Sequence, residues 1–229
     1  SSALSENTTA HSNVAVGKDT LIANTTASEH TAVGFCALNA NTSGIRNTAL
    51  GRQTLRNNTT GCCNVAVGSN ALISATSGDF NVAIGGGSMT TATVTGNLNT
   101  AVGACSLSAI TSGTLNSVVG SCSGLAMTTG QQNSAIGINT LCSNTTGSRN
   151  TALGGSSFAA NTTGNDNTAA GHGALSTNTT ANNNTAVGRA SLQANTEGHS
   201  NAAVGMQSLN ANTTGDLNTA VGYQALDTN

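Results

Sequence analysis

Six cysteines, four histidines and eight acidic residues are the side chains of this 229-residue chain best suited to metal, redox or acid–base work. Their spacing argues against all three. Zinc sites need thiolates or imidazoles in short, repeated pairs. Here Cys62 and Cys63 are adjacent, Cys36, Cys105, Cys122 and Cys142 stand apart, and no C-x-x-C with a second pair occurs. His11, His30, His172 and His199 are dispersed, and the carboxylates form no pair at a fixed spacing. No G-x-S-x-G elbow is present, and the many G-x-x-x-x-G spacings lack the Lys-Ser/Thr that phosphate binding uses. No catalytic residue, cofactor or metal ligand is therefore assigned, and the chain is not expected to be an enzyme. N-x-[S/T] is more frequent: acceptor sequences occur at Asn7, Asn24, Asn41, Asn58, Asn144, Asn161, Asn178 and Asn212, with two more at Asn57 and Asn183.

Composition narrows the class. Only 6% of residues are charged and 2% aromatic, there is no Pro or Trp, and 28 residues are Gly. A conventional core of this length carries more bulky apolar mass. The net charge of −2 and the scattered Lys and Arg give no footprint for nucleic acid or an anionic membrane. No run of about 18 apolar residues exists to span a bilayer, and no export signal opens the chain. Disorder or a repeat protein remains.

The repeat is explicit. The phrase Asn-Thr-Ala-Val-Gly or a near variant starts at Asn13, His30, Asn47, Asn64, Asn81, Asn99, Asn116, Asn133, Asn150, Asn167, Asn184, Asn201 and Asn218. Starts are 17 residues apart except Asn81 to Asn99, which is 18, placing one inserted residue between Met89 and Gly96. Numbered from that first Asn, the unit reads N-T-A-V-G-x-x-A-L-x-x-N-T-T-G-x-x. Helix propensity is poor, while Thr-Ala-Val is a short period-2 segment stopped by Gly, so each unit is read as one coil of an all-β parallel β-solenoid. The array fills residues 1–229 as a single domain: a partial coil at 1–12, full coils over 13–217 and a partial last coil at 218–229. About thirteen coils stacked about 4.8 Å apart make a rod of roughly 60 Å. Beginning and ending in mid-repeat, the chain is expected to be a segment of a longer protein.

Each column then has an expected task. Bulk at positions 4 and 9 assigns Val16, Leu21, Val33, Leu38, Val102, Leu107, Val187 and Leu192 to the core, and Gly17, Gly34, Gly103 and Gly188 to corners. Residues 3 and 4 of a strand face opposite ways. The near-invariant Ala15, Ala32, Ala101 and Ala186 would then point outward, onto a face covered by neighbouring copies. The alternative is that this Ala is the interior residue of a very thin coil and the position-4 Val the covered one. Stacked Asn at positions 1 and 12 form amide ladders along the sides, so most acceptor sequences are by-products of packing. Cys105 and Cys122 share position 7 of consecutive coils, close enough for a disulfide. From Ala75 to Met127 the Asn at position 12 is lost, the N-T-T run breaking at Ala75, Ala92, Ile110 and Met127, and Gly124 replaces the apolar residue at position 9.

Asn99-Thr-Ala-Val-Gly and Asn116-Ser-Val-Val-Gly, each followed by a second short segment, resemble the head repeats of trimeric autotransporter adhesins. More closely still, they resemble the NTAxGxxAL…NTTG arrays of phage and virus tail-fibre-like proteins. The resemblance covers the chain from Leu4 to Asn229 and implies a β-roll that forms a homotrimer. It implies a rigid spacer or shaft on a virion or cell surface, extracellular, with itself as partner and a host-surface receptor or glycan as contact. It carries no catalytic residue. Nucleic-acid binding and membrane insertion are not expected. The competing expectations are a filament assembled through unpaired terminal coils and an ice-binding solenoid. Against the latter, position 2 is Thr in only seven of thirteen units.

Overall fold

The computed structural model describes residues 2–90 and 93–227. It is all-β, with thirteen three-residue strands among the described residues and no helix. The chain divides into two compact units, Ser1–Leu115 and Asn116–Asn229. The first holds β1 (Val14–Val16), β2 (Thr31–Val33), β3 (Thr48–Leu50), β4 (Val65–Val67), β5 (Val82–Ile84) and β6 (Thr100–Val102). The second holds β7 (Ser117–Val119), β8 (Ser134–Ile136), β9 (Thr151–Leu153), β10 (Thr168–Ala170), β11 (Thr185–Val187), β12 (Ala202–Val204) and β13 (Thr219–Val221). Within each unit successive strands pair in parallel and in repeat register, Ala32 opposite Ala49 and Ala186 opposite Ala203. Each unit is thus a parallel β-solenoid of 17-residue coils.

Coil-to-coil pairing extends well beyond the strands. Leu38, Ala40 and Thr42 donate their N–H groups to the carbonyls of Thr54, Arg56 and Thr59 in the next coil, each at 3.0 Å. Gly51 and Gln53 donate back to Val33 and Phe35 at 2.8 Å. Each turn of chain is bonded around its circumference, which short strands alone would not achieve. The corner Gly at position 5 is fixed by that closeness: at Gly34 φ is +138°, and a Cβ would lie 2.3 Å from the Gly51 carbonyl oxygen. Gly17, Gly103 and Gly188 take the same conformation.

The structure reverses the expected assignment of positions 3 and 4. Ala32, Ala101 and Ala186 are fully buried and Ala15 is half-buried, whereas Val16 and Val187 are exposed and Val33 and Val102 half-buried. Leu21, Leu38, Leu107 and Leu192 do lie in the interior. The coil is too thin for two large apolar side chains: its inward places hold Asn at 1, Ala at 3, a small residue at 8, Leu at 9 and Asn at 12. The Asn columns are also interior rather than lateral. Asn24, Asn41, Asn58 and Asn144 are buried, as are Asn47, Asn64 and Asn150. Position 9 adds a constraint that composition hides. Leu38 and Leu107 sit at φ +49° and +47°, in a left-handed region that most side chains avoid. Positions 7 and 17 do the same, as at Cys36 (+54°) and Arg46 (+58°).

In the middle of the array Val94 takes the buried place opposite Ala75 in an isolated parallel bridge, while Ala92 lies outside the described residues. Ala75, Val94, Ile110 and Met127 are all fully buried, so the break in the N-T-T run is a change of interior filling. Thr76, Thr95, Thr111 and Thr128 are not buried with them. Cys105 and Cys122 are free thiols on turn positions, one exposed in the first unit and one half-buried in the second, so the expected disulfide is absent. Leu192→Ala should cost about 2–5 kcal/mol by emptying interior volume. Val187→Ser should change protomer stability by only about 0.5 kcal/mol. Thermal melts at equal dilution followed by circular dichroism check the contrast.

Candidate functional site

The interior is half polar, and its hydrogen bonds leave little unclaimed. Within each unit a position-1 Asn Oδ1 accepts the backbone N–H of the next position-1 residue, as Asn47 does from Asn64 at 2.9 Å and Asn133 from Asn150 at 3.0 Å. Its Nδ2 donates across the coil, Asn64 to the Gly78 carbonyl at 2.7 Å. At position 12 the amides join to one another: Asn58 Nδ2 donates to Asn41 Oδ1 at 2.9 Å and to the Gly61 carbonyl at 3.0 Å. Ladders of this kind hold buried amides in one orientation, because an unmade bond in the interior costs about 1–3 kcal/mol.

His30 replaces Asn in this column and imitates it at both ends. Its N–H donates to Asn13 Oδ1 at 2.9 Å, and its Nδ1 accepts the Asn47 N–H at 3.2 Å, as an amide oxygen would. Nε2 lies toward the Gly44 carbonyl and 3.2 Å from Asn41 Nδ2, where the Asn side chain would place its NH₂. The tautomer protonated on Nε2 satisfies this geometry; a second proton on Nδ1 would meet the Asn47 N–H head on. Burial pushes the imidazole below its ordinary value, with the Gly44 carbonyl opposing more weakly. The flanking polar groups are Asn13, Asn41, Asn47 and the Gly44 backbone, all uncharged.

Outside, three features remain. The sheet face carries positions 2 and 4: Val16, Leu50, Ile84, Val119, Ile136, Leu153, Val187, Val204 and Val221 are exposed at position 4, and no described position-4 residue is buried. A turn carries hydroxyls at positions 13 and 14, where Thr59 and Thr128 Oγ1 donate to the carbonyls of Thr76 and Thr145 at 3.0 and 3.1 Å. Charged pairs lie along position 17, with Arg46 bonded to Glu29 at 2.9 Å and Arg149 to Asp166 at 2.6 Å. Each carboxylate holds its guanidinium above the ordinary value, and Arg149 holds Asp166 below the carboxylate range. These pairs are exposed and contribute little to stability. Among the described residues no three His, Cys, Asp or Glu side chains gather as a metal site. No described helix is long and apolar enough to cross a membrane.

Alternation in the strand made the outer column legible only as one of two, Ala or Val, and reading the bulkier residue inward chose the wrong one. His30 was missed as a ladder member because a histidine gives no sign in sequence that it can stand in for an amide; its place at position 1 was the available signal. No family model, curated protein or solved structure matches the chain.

Two outcomes are expected. Above the unfolded value of 6.5 both states of His30 are neutral and its ladder is intact. As pH falls from there through the lowered folded value, the unfolded chain takes up a proton that the folded coil resists, so stability declines. His30→Asn should flatten that acid limb in melts taken between about pH 7 and 4. Separately, the buried amides at Asn41, Asn58, Asn144, Asn161 and Asn178 already donate to the ladder, whereas Asn57 and Asn183 are exposed. Glycopeptide mapping after passage through a eukaryotic secretory pathway should find glycan only at Asn57, Asn183 and the likewise exposed Asn7.

Proposed function

We propose that this chain is a structural shaft segment that self-associates along the outer face of its sheets, as a homotrimeric fibre or adhesin stalk on a virion or cell surface. The observation that carries the reading is the position-4 column: an apolar side chain stands outward, partly or largely accessible, in every described coil. Monomers in water rarely keep apolar surface in such an ordered run. A covered face explains why position 4 is Val, Ile or Leu in twelve of thirteen coils although the interior does not need it. The interior supports a mechanical role, since its amides and leucines are spent on holding coil to coil. Contact with a host receptor or glycan belongs to the same proposal, whereas end-to-end growth into filaments is the alternative to it.

Ice binding is the second reading. Its support is that the loss of Asn at Ala75, Val94, Ile110 and Met127 is internal and leaves Thr76, Thr111 and Thr128 unburied. Against it, Thr59 and Thr128 already donate their hydroxyl protons to backbone carbonyls on a turn rather than a flat strand. Thermal hysteresis at millimolar protein would decide for it.

Light scattering should give a stable oligomer, three chains on the leading reading. Val33→Lys, Val67→Lys and Val187→Lys combined should shift it to a folded monomer, because the charges are desolvated only when copies meet. A wild-type monomer across micromolar concentrations removes the proposal.

A further inference from the structure

A column of nearly identical residues can hold two copies together but cannot align them. A slip of one coil, about 4.8 Å, brings every Val back against another Val. Position 17 lies two residues before position 2, on the outer side of the buried Asn at position 1, and there the repeat is broken. In the first unit this column reads Glu29, Arg46, Cys63, Phe80, Leu98 and Leu115. Phe80, Leu98 and Leu115 are 57%, 53% and 47% exposed. They are fixed in place: their N–H groups donate to the carbonyls of Cys62, Asp79 and Asn97 at 3.0, 3.0 and 3.2 Å, with φ between +56° and +61°. Beside them on the sheet face stand Val65, Val67, Val82, Ile84 and Val102. The three form a local apolar patch in a column that is polar or charged in the coils before it.

Building on the self-association reading, we infer that Phe80, Leu98 and Leu115 meet their counterparts on a second copy of this chain and set the axial register of the oligomer. The occupant is a second copy for two reasons. The stripe has the coil spacing of the chain itself, and a partner bearing the same repeat matches every coil. The area is also that of a chain-on-chain contact: six or seven coils about 4.8 Å apart, with outer columns spanning about 10–13 Å, give roughly 300–400 Å² on one unit, or roughly 600–800 Å² in all when a second copy covers it. In cyclic symmetry identical residues meet around the axis, so a run of three adjacent apolar coils, which the lone Leu217 does not reproduce, is opposed by itself at one register. A one-coil slip sets Phe80 against Leu98 and leaves an apolar side chain opposite Cys63.

The test uses the full chain with its six cysteines replaced by Ser, in two differently tagged forms, one carrying Val33→Cys and the other Val67→Cys, two coils apart in the first unit. Co-assembled and mildly oxidised, the otherwise unchanged chain should yield like-with-like disulfides. Adding Phe80→Ser, Leu98→Ser and Leu115→Ser should raise the ratio of unlike to like pairs at least tenfold while light scattering still reports the oligomer and circular dichroism the fold. Unlike pairs before those three substitutions, or an unchanged ratio after them, overturn the register assignment. A triple variant that becomes a folded monomer also overturns it, since the patch would then supply cohesion rather than alignment. If the starting form is itself monomeric and forms no interchain disulfide, self-association fails, and the register with it.

Discussion

Everything in this fold depends on the spacing between one coil and the next. Parallel backbone pairing fixes it at about 4.8 Å, and each interior side chain must find its partner at that distance in the coil above or below. An amide is suited to this: Asn47 offers its oxygen to the Asn64 backbone while Asn64 reaches across to Gly78. An interior built this way needs neither aromatic mass nor many branched side chains. The same spacing rejects a side chain at Gly34, where a Cβ would collide with the neighbouring carbonyl.

Thinness follows from that pairing and moves the chemistry outward. With Asn, Ala and Leu filling the inside, the Val column is left on the surface, where it serves no purpose for the single chain. The hydrophobic driving force that a globular domain would use on its own core is here available between chains. On the proposed self-association, that division accounts for a chain with few charges and a regular apolar stripe, with the interior ladder holding the outer column of each unit in repeat register.

Irregularities carry the position-specific information in an array that otherwise has none. His30 inserts a titratable group into an uncharged ladder, keeping its bonds only while it is neutral. Ala75, Val94, Ile110 and Met127 exchange amide for apolar filling with no change in the outer hydroxyls. Phe80, Leu98 and Leu115 place three apolar side chains in successive coils of a column that elsewhere is mostly polar or charged. Each is a departure at one column, and each has a different physical effect because the columns face different surroundings.

The amino-acid sequence by itself determined the 17-residue period, the β class, the Gly corner at position 5 and the inward Leu at position 9, since these rest on strand periodicity and on conformations that residue types announce. The inward Ala, the outward Val and the buried Asn were decided only by the tertiary structure. Alternation states that Ala and Val face opposite ways, but which way depends on the width of the coil. That width is set by left-handed turns at positions 7, 9 and 17, occupied by Cys, Leu and Arg as readily as by Gly. No residue type signals those turns; they persist because coil-to-coil hydrogen bonds on every side hold them there.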